Sequence, residues 1–273
     1  MKDSVKKEKK KAATANSGDV PVAIILGWPI VRCGMRILLE QISKRTNEKD
    51  GVTFVACLNP HSLMVARETP EFQKALRSAT YLIPDGVGVK LAAMVFGYMT
   101  LKRITGFHLF EAVMQFAAES NKSVFFLGST PDVLCCIEDR VRRDYGEKIR
   151  VGSYSPPFKD KLSERDNEVI IGKVREFGPH ILWVGMTSPK QDVWIHDNLH
   201  RLPVTLAAGI GAVFDFYAEN VPRAPAMMRY VGLEWIFRLL IEPRRMLRRN
   251  LFSIPRFITN VIKEFIRGRS SND

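Results

Sequence analysis

The chain lacks the long apolar run that a membrane-spanning helix requires. No stretch reaches the roughly 20 consecutive apolar residues that cross a bilayer, and the uncharged run at 202–214 stops well short of that length. A cysteine framework is also missing, since Cys33, Cys57, Cys135 and Cys136 contain no C-x-x-C spacing and two of them are adjacent. Adjacent cysteines are poorly placed for a stabilising disulfide. We therefore expect a chain that does not span a membrane by itself and that works in a reducing, cytoplasmic setting.

Four motifs of cofactor and metal chemistry are missing or incomplete as well. The phosphate-binding motif G-x-x-x-x-G-K-[ST] is absent, and the segment GIGAVF lacks the third glycine of a dinucleotide-binding loop. There is no D-x-D pair, the carboxylates with which many nucleotide-sugar enzymes hold a divalent metal. His196 and His200 have the i, i+4 spacing of zinc ligands, but Asp197 stands where H-E-x-x-H has its glutamate. We expect neither an ATPase nor an NAD enzyme, no metal or cofactor, and two exposed histidines near a helix end.

Acidic residues are outnumbered in this sequence. The 41 lysines and arginines against 29 aspartates and glutamates give a net charge of +12 and a pI near 9.7. Such an excess predicts an anionic partner, and nucleic acid, a phosphorylated substrate and an acidic membrane surface all qualify. Residues 1–19 contain a run of lysines with no apolar stretch after it, so we predict a disordered basic tail and not a signal peptide.

Between residues 20 and 221, short apolar runs alternate with segments of helical period, which is typical of β-α units. The pattern predicts a Rossmann-like α/β core with a mostly parallel sheet flanked by helices. Helix starts are recognisable at GSTPD, where Ser129 or Thr130 caps before Pro131, and at SERDNE, where Ser163 caps. The predicted strands are 22–26, 52–58, 81–83, 123–128, 149–154, 181–185 and 204–209.

Five polar or glycine-rich segments follow predicted strands. Ligands of open parallel sheets bind beyond the carboxyl ends of the strands, so these segments should converge on one rim. Helix starts offer N–H groups and a dipole that favour anions, and Lys190, Gln191 and Arg103 can add charge or hydrogen bonds. A diphosphate would suit such a rim. The segments are NPHS (59–62), PDGVG (84–88), GSTPD (128–132), GMTSPKQD (185–192) and AAGIGAVFD (207–215).

Asp85, in the segment YLIPDGVGVK, has two interpretations. Asp-Gly between apolar runs is a turn signal, because glycine reaches positive φ without a steric penalty. A lone carboxylate at the end of a buried strand can also serve as a general base. Burial would raise its pKa and nearby cations would lower it. The residues alone do not decide between these effects.

Residues 222–273 carry no strand pattern and combine helical period with basic charge. One interpretation is a helix packed on the core with a solvated basic face. The interpretation we favour is an amphipathic appendage for an anionic membrane surface. Pro255 should interrupt or kink this helix. The predicted apolar stripe consists of Leu247, Leu251, Ile254, Ile258, Val261 and Phe265, and the opposite face carries Arg249, Arg256 and Lys263.

A series of motifs resembles the WecG/TagA/CpsF glycosyltransferases over roughly residues 50–250: LNPHSLMVAR, PDGVGVKLA, RITGFHLFEAV, VFFLGSTPDV, VGMTSPKQDVWI and GIGAVFDFYAENVPRAPAMMRYVGLEWIFRLLIEPRRMLRR. The resemblance implies inverting, metal-independent transfer of a sugar from a UDP-sugar to a polyprenyl-diphosphate-linked saccharide. The transfer would take place at the inner face of a bacterial plasma membrane, during cell-surface polysaccharide synthesis. The sugars that it suggests are N-acetylmannosamine, its uronic acid and glucose. Peripheral membrane association is implied, and homo-oligomerisation is a hypothesis.

The resemblance also implies roles for individual residues. Asp85 matches the family's proposed catalytic base, which would deprotonate the acceptor hydroxyl, and Arg103 and Gln191 match polar residues that line its pocket. Arginines of the C-terminal appendage are expected to close over the diphosphate and stabilise the departing UDP. The appendage arginines are Arg238, Arg245 and Arg248; the nucleotide side comprises Gly128, Gly185, Gly209, Gly211 and Asp215; and Asn59, Ser129, Phe158 and Lys190 complete the predicted substrate-binding set.

The sequence departs from the family at one position, and two other classes of protein are alternatives to a glycosyltransferase. Cys57 stands where the family often has threonine, which puts a contact through a hydroxyl in doubt, and a thiol can instead pack as a small core residue. A non-catalytic nucleic-acid-binding protein would use the positive charge and depend steeply on salt, but it leaves the rim motifs without a purpose, so we expect no nucleic acid partner. An acid-base hydrolase would need a carboxylate beside Asp85, and Asp192 and Asp215 lie in other loops.

Overall fold

The computed structural model of this chain describes residues 20–48, 51–230 and 233–269, and the predicted basic tail at residues 1–19 lies outside them. Its strands are β1 (Val22–Ile25), β2 (Trp28–Val31), β3 (Thr53–Leu58), β4 (Tyr81–Pro84), β5 (Val124–Gly128), β6 (Val151–Tyr154), β7 (Ile181–Gly185) and β8 (Leu206–Gly209). They form one sheet in the order β1-β2-β4-β3-β8-β7-β5-β6. β1 and β2 are antiparallel and every other neighbouring pair is parallel. The predicted α/β class with a mostly parallel sheet is confirmed.

Helices connect and flank these strands. Thr130 accepts a hydrogen bond from the Val133 N–H ahead of one of them, and Ser163 forms a capping box with Asp166 ahead of another, so both predicted helix starts are confirmed. None of the described helices is long and apolar enough to cross a bilayer. The helices are α1 (Met35–Glu48), α2 (Pro60–Glu68), α3 (Pro70–Ser78), α4 (Val87–Val95), α5 (Gly106–Glu119), α6 (Pro131–Tyr145), α7 (Glu164–Phe177), α8 (Lys190–Asn198), α9 (Val213–Tyr217), α10 (Ala226–Tyr230), α11 (Glu234–Ile241) and α12 (Pro243–Arg269), with a 3-10 turn at Gly146–Lys148.

Strand β2 was not predicted from the sequence. It folds back on β1 as a hairpin whose turn residues, Leu26 and Gly27, have φ angles of 51° and 82°. Pro29 hides the strand pattern, because proline cannot donate to a strand ladder, and Leu-Gly is not among the usual hairpin dipeptides. Ile30 of β2 pairs with Leu82 of β4, so the hairpin extends the parallel sheet by two strands.

Both faces of the sheet are buried. Along β7, Leu182 and Val184 belong to one apolar cluster, and Ile181 and Trp183 belong to the other, each with an exposure of 0%. Successive side chains of a strand point to opposite faces, so a strand covered by helices on both sides must be apolar throughout. Polar chemistry is therefore confined to the ends of these strands.

The long helix α12 packs against α2. His61 Nδ1 lies 2.7 Å from Ser253 Oγ, and Arg256 Nη1 donates to Glu68 Oε1 at 2.6 Å. Asn260 Nδ2 also donates to the Met64 sulfur, at 3.6 Å. These contacts hold one side of α12 against α2.

The structure shows how the predicted residues of α12 are distributed. Of the predicted apolar stripe, Val261 is buried and Phe265 is half-buried, whereas the other four residues are exposed. The helix is continuous through Pro255, so the predicted interruption is wrong, because the loss of one i→i−4 hydrogen bond leaves the remaining turns in place. A kink at this residue stays a prediction. A division of the chain at residue 222 stays a prediction. Among the α12 residues whose burial the structure describes, the buried ones are Met246, Ser253, Phe257 and Val261.

Candidate active site

A cavity of about 1020 Å³ lies at the carboxyl ends of the parallel strands. Each of the five segments predicted to meet there contributes to its walls. The side chains of Arg245 and Arg248 lie outside the described part of the structure. The predicted site residues that line the cavity are Asn59, Asp85, Arg103, Gly128, Ser129, Phe158, Gly185, Lys190, Gln191, Gly209, Gly211, Asp215 and Arg238.

Three glycines form a floor without side chains at neighbouring strand ends. Gly128 of β5 pairs with Gly185 of β7, and Gly209 of β8 pairs with Val184. A Cβ atom on Gly128 would lie 2.6 Å from the Gly185 carbonyl oxygen, and one on Gly185 would lie 2.4 Å from the Phe214 ring. No larger residue fits at these two positions without moving its neighbours. The backbone therefore stays open to a ligand here.

Two helices begin beside this glycine floor. α6 follows Ser129, which has a φ of 56°, and α8 follows a cis peptide bond between Ser188 and Pro189. The first N–H groups of a helix have no partner within the helix, and the macrodipole makes that end positive.

α6 begins at Pro131, which has no N–H, and Thr130 accepts the Val133 N–H. In α8 the Gln191 N–H donates to the Thr187 carbonyl at 3.3 Å. What both helix starts offer an anionic ligand such as a phosphate group is therefore chiefly the positive end of the helix dipole.

A loop after β6 carries Phe158 to the mouth of the cavity, where the residue is 78% exposed. Lys159, the next residue, donates from Nζ to the two carboxylate oxygens of Asp166 at 2.9 and 2.8 Å. Lys190 Nζ, from the first residue of α8, donates to the Lys159 carbonyl. The loop is thus fixed beside the glycine floor, with an aromatic ring exposed.

Asp85 lies where β4 turns into α4. Its N–H donates to the Leu58 carbonyl at 2.7 Å, and Gly86 follows with a φ of 89°, a conformation that favours glycine. A Cβ on Gly88 would lie 2.5 Å from Pro60 Cγ, so this glycine serves the close approach of α4 to α2. The chain changes direction at Gly86, and this change places Asp85 in the cavity wall. The two interpretations of Asp85 are therefore compatible.

Cys57, the last residue but one of β3, also lines the cavity. Burial raises the pKa of its thiol well above the ordinary value, and the negative charges of Asp85 and Asp192 raise that pKa further. Both carboxyls therefore lie near the same sulfur, although Asp192 follows a different strand. The sequence analysis set Asp192 aside because it lies in a different loop from Asp85. No sequence signal marks it as a site residue, because acidic residues are common in the first turn of any helix.

Two of the predicted polar site residues form hydrogen bonds with other parts of the protein. Arg103 Nη2 donates to the Arg229 carbonyl at 2.6 Å, which ties the cavity wall to α10. Asn59 Oδ1 accepts the Ser62 N–H at 3.0 Å and caps α2. The capping role of Asn59 is readable from the sequence, because Asn before Pro with Ser three residues later forms a capping pattern.

The opposite side of the cavity is apolar. Leu91 and Val95 of α4 are 54% and 46% exposed, and Ile258 and Ile262 of α12 are each 51% exposed, yet all four line the cavity. The sequence analysis expected an apolar surface from the C-terminal helix but not from α4. The site therefore joins a polar floor to a wide apolar opening.

Among residues 20–48, 51–230 and 233–269, no group of three or more His, Cys, Asp or Glu residues is arranged to hold a metal ion. His196, considered above for its zinc-ligand spacing, has Nδ1 2.8 Å from Ser78 Oγ. His200 lies beyond the end of α8. His200 is exposed as expected, but the expectation that His196 is exposed is wrong: it is half-buried, because it links α8 to α3.

Comparisons with known proteins agree with this geometry. The model of the "Glycosyl transferase WecG/TagA/CpsF family" matches residues 23–271. An N-acetylglucosaminyldiphosphoundecaprenol N-acetyl-beta-D-mannosaminyltransferase of Bacillus spizizenii strain W23 is 32% identical over 210 residues, which cover 77% of this chain and 79% of the relative. A relative of the same name from Bacillus subtilis strain 168 is 25% identical over 236 residues, 86% of this chain and 89% of the relative. The chain belongs to the WecG/TagA/CpsF family and is a glycosyltransferase.

Proposed function

We propose that this enzyme transfers N-acetylmannosamine from a UDP-sugar to a polyprenyl-diphosphate-linked saccharide during the synthesis of a bacterial cell-surface polysaccharide. The observation that carries the proposal is one cavity that joins a glycine floor at the polar strand ends to an apolar opening. A UDP-sugar and a lipid-linked acceptor need these two surfaces next to each other. The names of the two relatives support the choice of sugar and of a lipid-linked acceptor.

On the donor side, the diphosphate would lie over Gly128 and Gly185, near the positive ends of the α6 and α8 dipoles. Helix dipoles stabilise phosphate charge in this way. Arg238, which lines the cavity, would offset the charge that develops on UDP as it leaves. No metal ion would take part in the departure of UDP.

On the acceptor side, Asp85 would act as the general base. Its carboxylate takes the proton of the acceptor hydroxyl while that oxygen attacks the anomeric carbon. The bond from the anomeric carbon to the UDP oxygen breaks, and UDP departs with the electron pair. Attack from the face opposite to UDP inverts the anomeric configuration. A positioned base typically contributes about 10²–10⁴-fold to such a step.

The apolar opening is where the lipid end of the acceptor and the membrane would meet the enzyme. Exposed side chains such as Leu91, Leu251 and Ile258 lie on α4 and α12, and the net charge of +12 favours an anionic lipid surface. The enzyme would therefore associate peripherally with the inner face of the plasma membrane.

Replacing Asp85 by asparagine tests the catalytic assignment. With a panel of UDP-sugars and a synthetic lipid-diphosphate acceptor, kcat should fall by about 10²-fold or more, whereas the KM values should change little. Asp197→Asn, at an exposed carboxyl of α8, is the matched control and should retain wild-type turnover. Wild-type turnover by Asp85→Asn would contradict its role as the base. Failure of wild type to transfer any UDP-sugar would contradict the proposed function as a whole.

A further inference from the structure

Gln191, the second residue of α8, carries a buried oxygen that has no hydrogen-bond partner in the described ranges. The residue is 5% exposed and lines the cavity, and the unpaired atom is its Oε1. Buried polar groups are nearly always hydrogen-bonded, because an unsatisfied acceptor is unfavourable. An unpaired buried acceptor in the wall of a binding cavity therefore calls for a donor from the ligand.

The neighbours of Gln191 determine which end of its amide faces the cavity. An added Cβ on Gly209 would lie 2.8 Å from Gln191 Nε2 and 2.9 Å from Asp192 Oδ1, so the amide nitrogen lies on the side of that carboxyl. Turning the amide over would bring two oxygens together in place of a donor and an acceptor. Burial raises the pKa of Asp192 to about 7, and the Gln191 side chain opposes that rise, as a facing N–H donor does. The oxygen end of the amide is therefore the end that is left for the cavity.

This oxygen lies beside Gly211, where a second acceptor faces the same space. An added Cβ on Gly211 would lie 3.4 Å from Gln191 Oε1 and 3.7 Å from the Met186 carbonyl oxygen. Met186 and Gly211 both line the cavity, and the Met186 carbonyl accepts no hydrogen bond from the described part of the chain. We call the space beside this glycine, which both oxygens face, the Gly211 niche.

The Gly211 niche lies between the two ends of the transfer reaction. Gly211 follows the end of β8, and β8 adjoins β7, whose last residue Gly185 would lie beneath the donor diphosphate. On the other side β3 and then β4 follow, and Asp85 comes directly after β4. Neighbouring strands are about 4.8 Å apart, so β7 and β4 are separated by roughly 14 Å. A sugar that joins the diphosphate to an acceptor hydroxyl at Asp85 must therefore lie over the end of β8.

We propose that the Gly211 niche is a subsite for the transferred sugar, in which Gln191 Oε1 and the Met186 carbonyl accept hydrogen bonds from two neighbouring ring hydroxyls. Two acceptors that face one space fit two adjacent O–H donors, which a hexose carries and an ionised phosphate lacks. A site built to bind a hydroxyl also discriminates strongly against a sugar without it, so Gln191 is a specificity-determining residue. This role rests on the proposed function, because it takes a UDP-sugar to be the donor.

Calorimetric titration without an acceptor tests the subsite, with UDP and with the UDP-sugar of the panel that wild type binds most tightly. Gln191→Met keeps a side chain of similar length but removes the amide oxygen. It should weaken binding of the UDP-sugar by about tenfold and leave UDP binding within about twofold of wild type, because UDP lacks the transferred sugar. Gln115→Met makes the same substitution at an exposed position of α5 and should bind both ligands like wild type.

Gly211→Ala tests the niche without altering Gln191. Its methyl group would meet the two oxygens at ordinary contact distances, so it fits the niche but takes the place of the sugar hydroxyls. Alanine is strained at the φ of 50° found here, and Gly178→Ala has a similar strain at a φ of 63°, after α7 and away from the cavity. Both variants should lose similar stability in urea, whereas only Gly211→Ala should lose about tenfold or more in affinity for the UDP-sugar.

Deoxy analogues of the UDP-sugar identify the hydroxyl that Gln191 binds. Removing the hydroxyl at ring carbon 3 or at ring carbon 4 should weaken binding to wild type by about tenfold. For one of the two analogues, Gln191→Met should cause little further loss, because the same hydrogen bond is already gone. Additive losses with both analogues would overturn the proposal, as would equal losses of UDP and UDP-sugar affinity in Gln191→Met.

These titrations separate the subsite from the proposed reaction. If wild type transfers a sugar but Gln191→Met binds the UDP-sugar normally, the subsite is wrong and the function stands. If binding depends on Gln191 as described but wild type transfers the sugar to no lipid-linked acceptor, the function is wrong and the subsite stands. Failure of wild type to bind any UDP-sugar would overturn both.

Discussion

Gly185 lies directly against Phe214. A Cβ on the glycine would come within 2.4 Å of Phe214 Cδ2 and within 2.5 Å of Cε2. Phe214 is 2% exposed and stacks edge-on against Phe126, with ring centroids 5.5 Å apart. The aromatic cluster beneath the sheet therefore determines that the end of β7 carries no side chain, and the cavity floor depends on that packing.

Adding one methyl group at this contact should destabilise the protein. Gly185→Ala forces the Phe214 ring or the end of β7 to move, and overpacking of this kind typically costs about 1–3 kcal/mol. Urea unfolding measures the change. Gly172→Ala is the matched control, because its Cβ meets nothing within 4 Å in the interior of α7, and it should be neutral or stabilise by up to about 1 kcal/mol. Equal stability of the two variants would show that the ring yields freely.

The exposed apolar face of α12 should bind membranes. Ile258→Glu places a charge among side chains that line the apolar opening, and burying an unpaired charge in lipid is unfavourable. We expect at least a several-fold loss in binding to vesicles of anionic lipid, measured by co-sedimentation, with UDP binding unchanged. Thr259→Glu makes the same charge change at an exposed neighbour that does not line the cavity. Equal losses in both variants would assign the effect to net charge and contradict a specific apolar face.

Much of the fold follows from the strands themselves. Runs such as ILWVG have no polar position because helices cover both faces of the sheet. The bounds of this run predicted both ends of β7 correctly. The meeting of five loops at one cavity also follows from topology, since parallel strands end at the same edge. These expectations need only local patterns and one general rule of sheet architecture.

The orientation of individual side chains does not follow from such patterns. Helix α12 has apolar residues on more than one side, and contact with α2 decides that Phe257 is buried while Ile258 is exposed. The nearness of Asp192 to Cys57 likewise depends on the order of β3, β8 and β7 in the sheet, which the sequence analysis did not predict. Contacts between distant elements decide which side chains are buried and which lie close together. The local patterns of a single sequence do not predict those contacts.

The loop that carries Phe158 is held by polar contacts at both ends. Ser155 Oγ donates to the Ser129 carbonyl at 2.7 Å. Hydrogen bonds from Lys159 and from Ser163 keep the pKa of Asp166 below its usual range, so that carboxylate is charged at neutral pH and the contact persists there. An exposed aromatic ring on a fixed loop at the mouth of the cavity is a suitable surface for a flat nucleobase.

Phe158 should therefore contribute to binding of the donor through its uracil base. Stacking of a base on an aromatic side chain is worth about 1–3 kcal/mol, so Phe158→Ala should weaken UDP binding by roughly tenfold. Calorimetric titration with UDP measures this directly, and Phe158→Trp should restore it because the larger ring also stacks. Phe252→Ala, at another exposed phenylalanine that does not line the cavity, should bind UDP like wild type. Unchanged UDP affinity in Phe158→Ala would place the base elsewhere along the cavity. A loss that tryptophan does not restore would instead indicate that the loop needs phenylalanine for its own conformation.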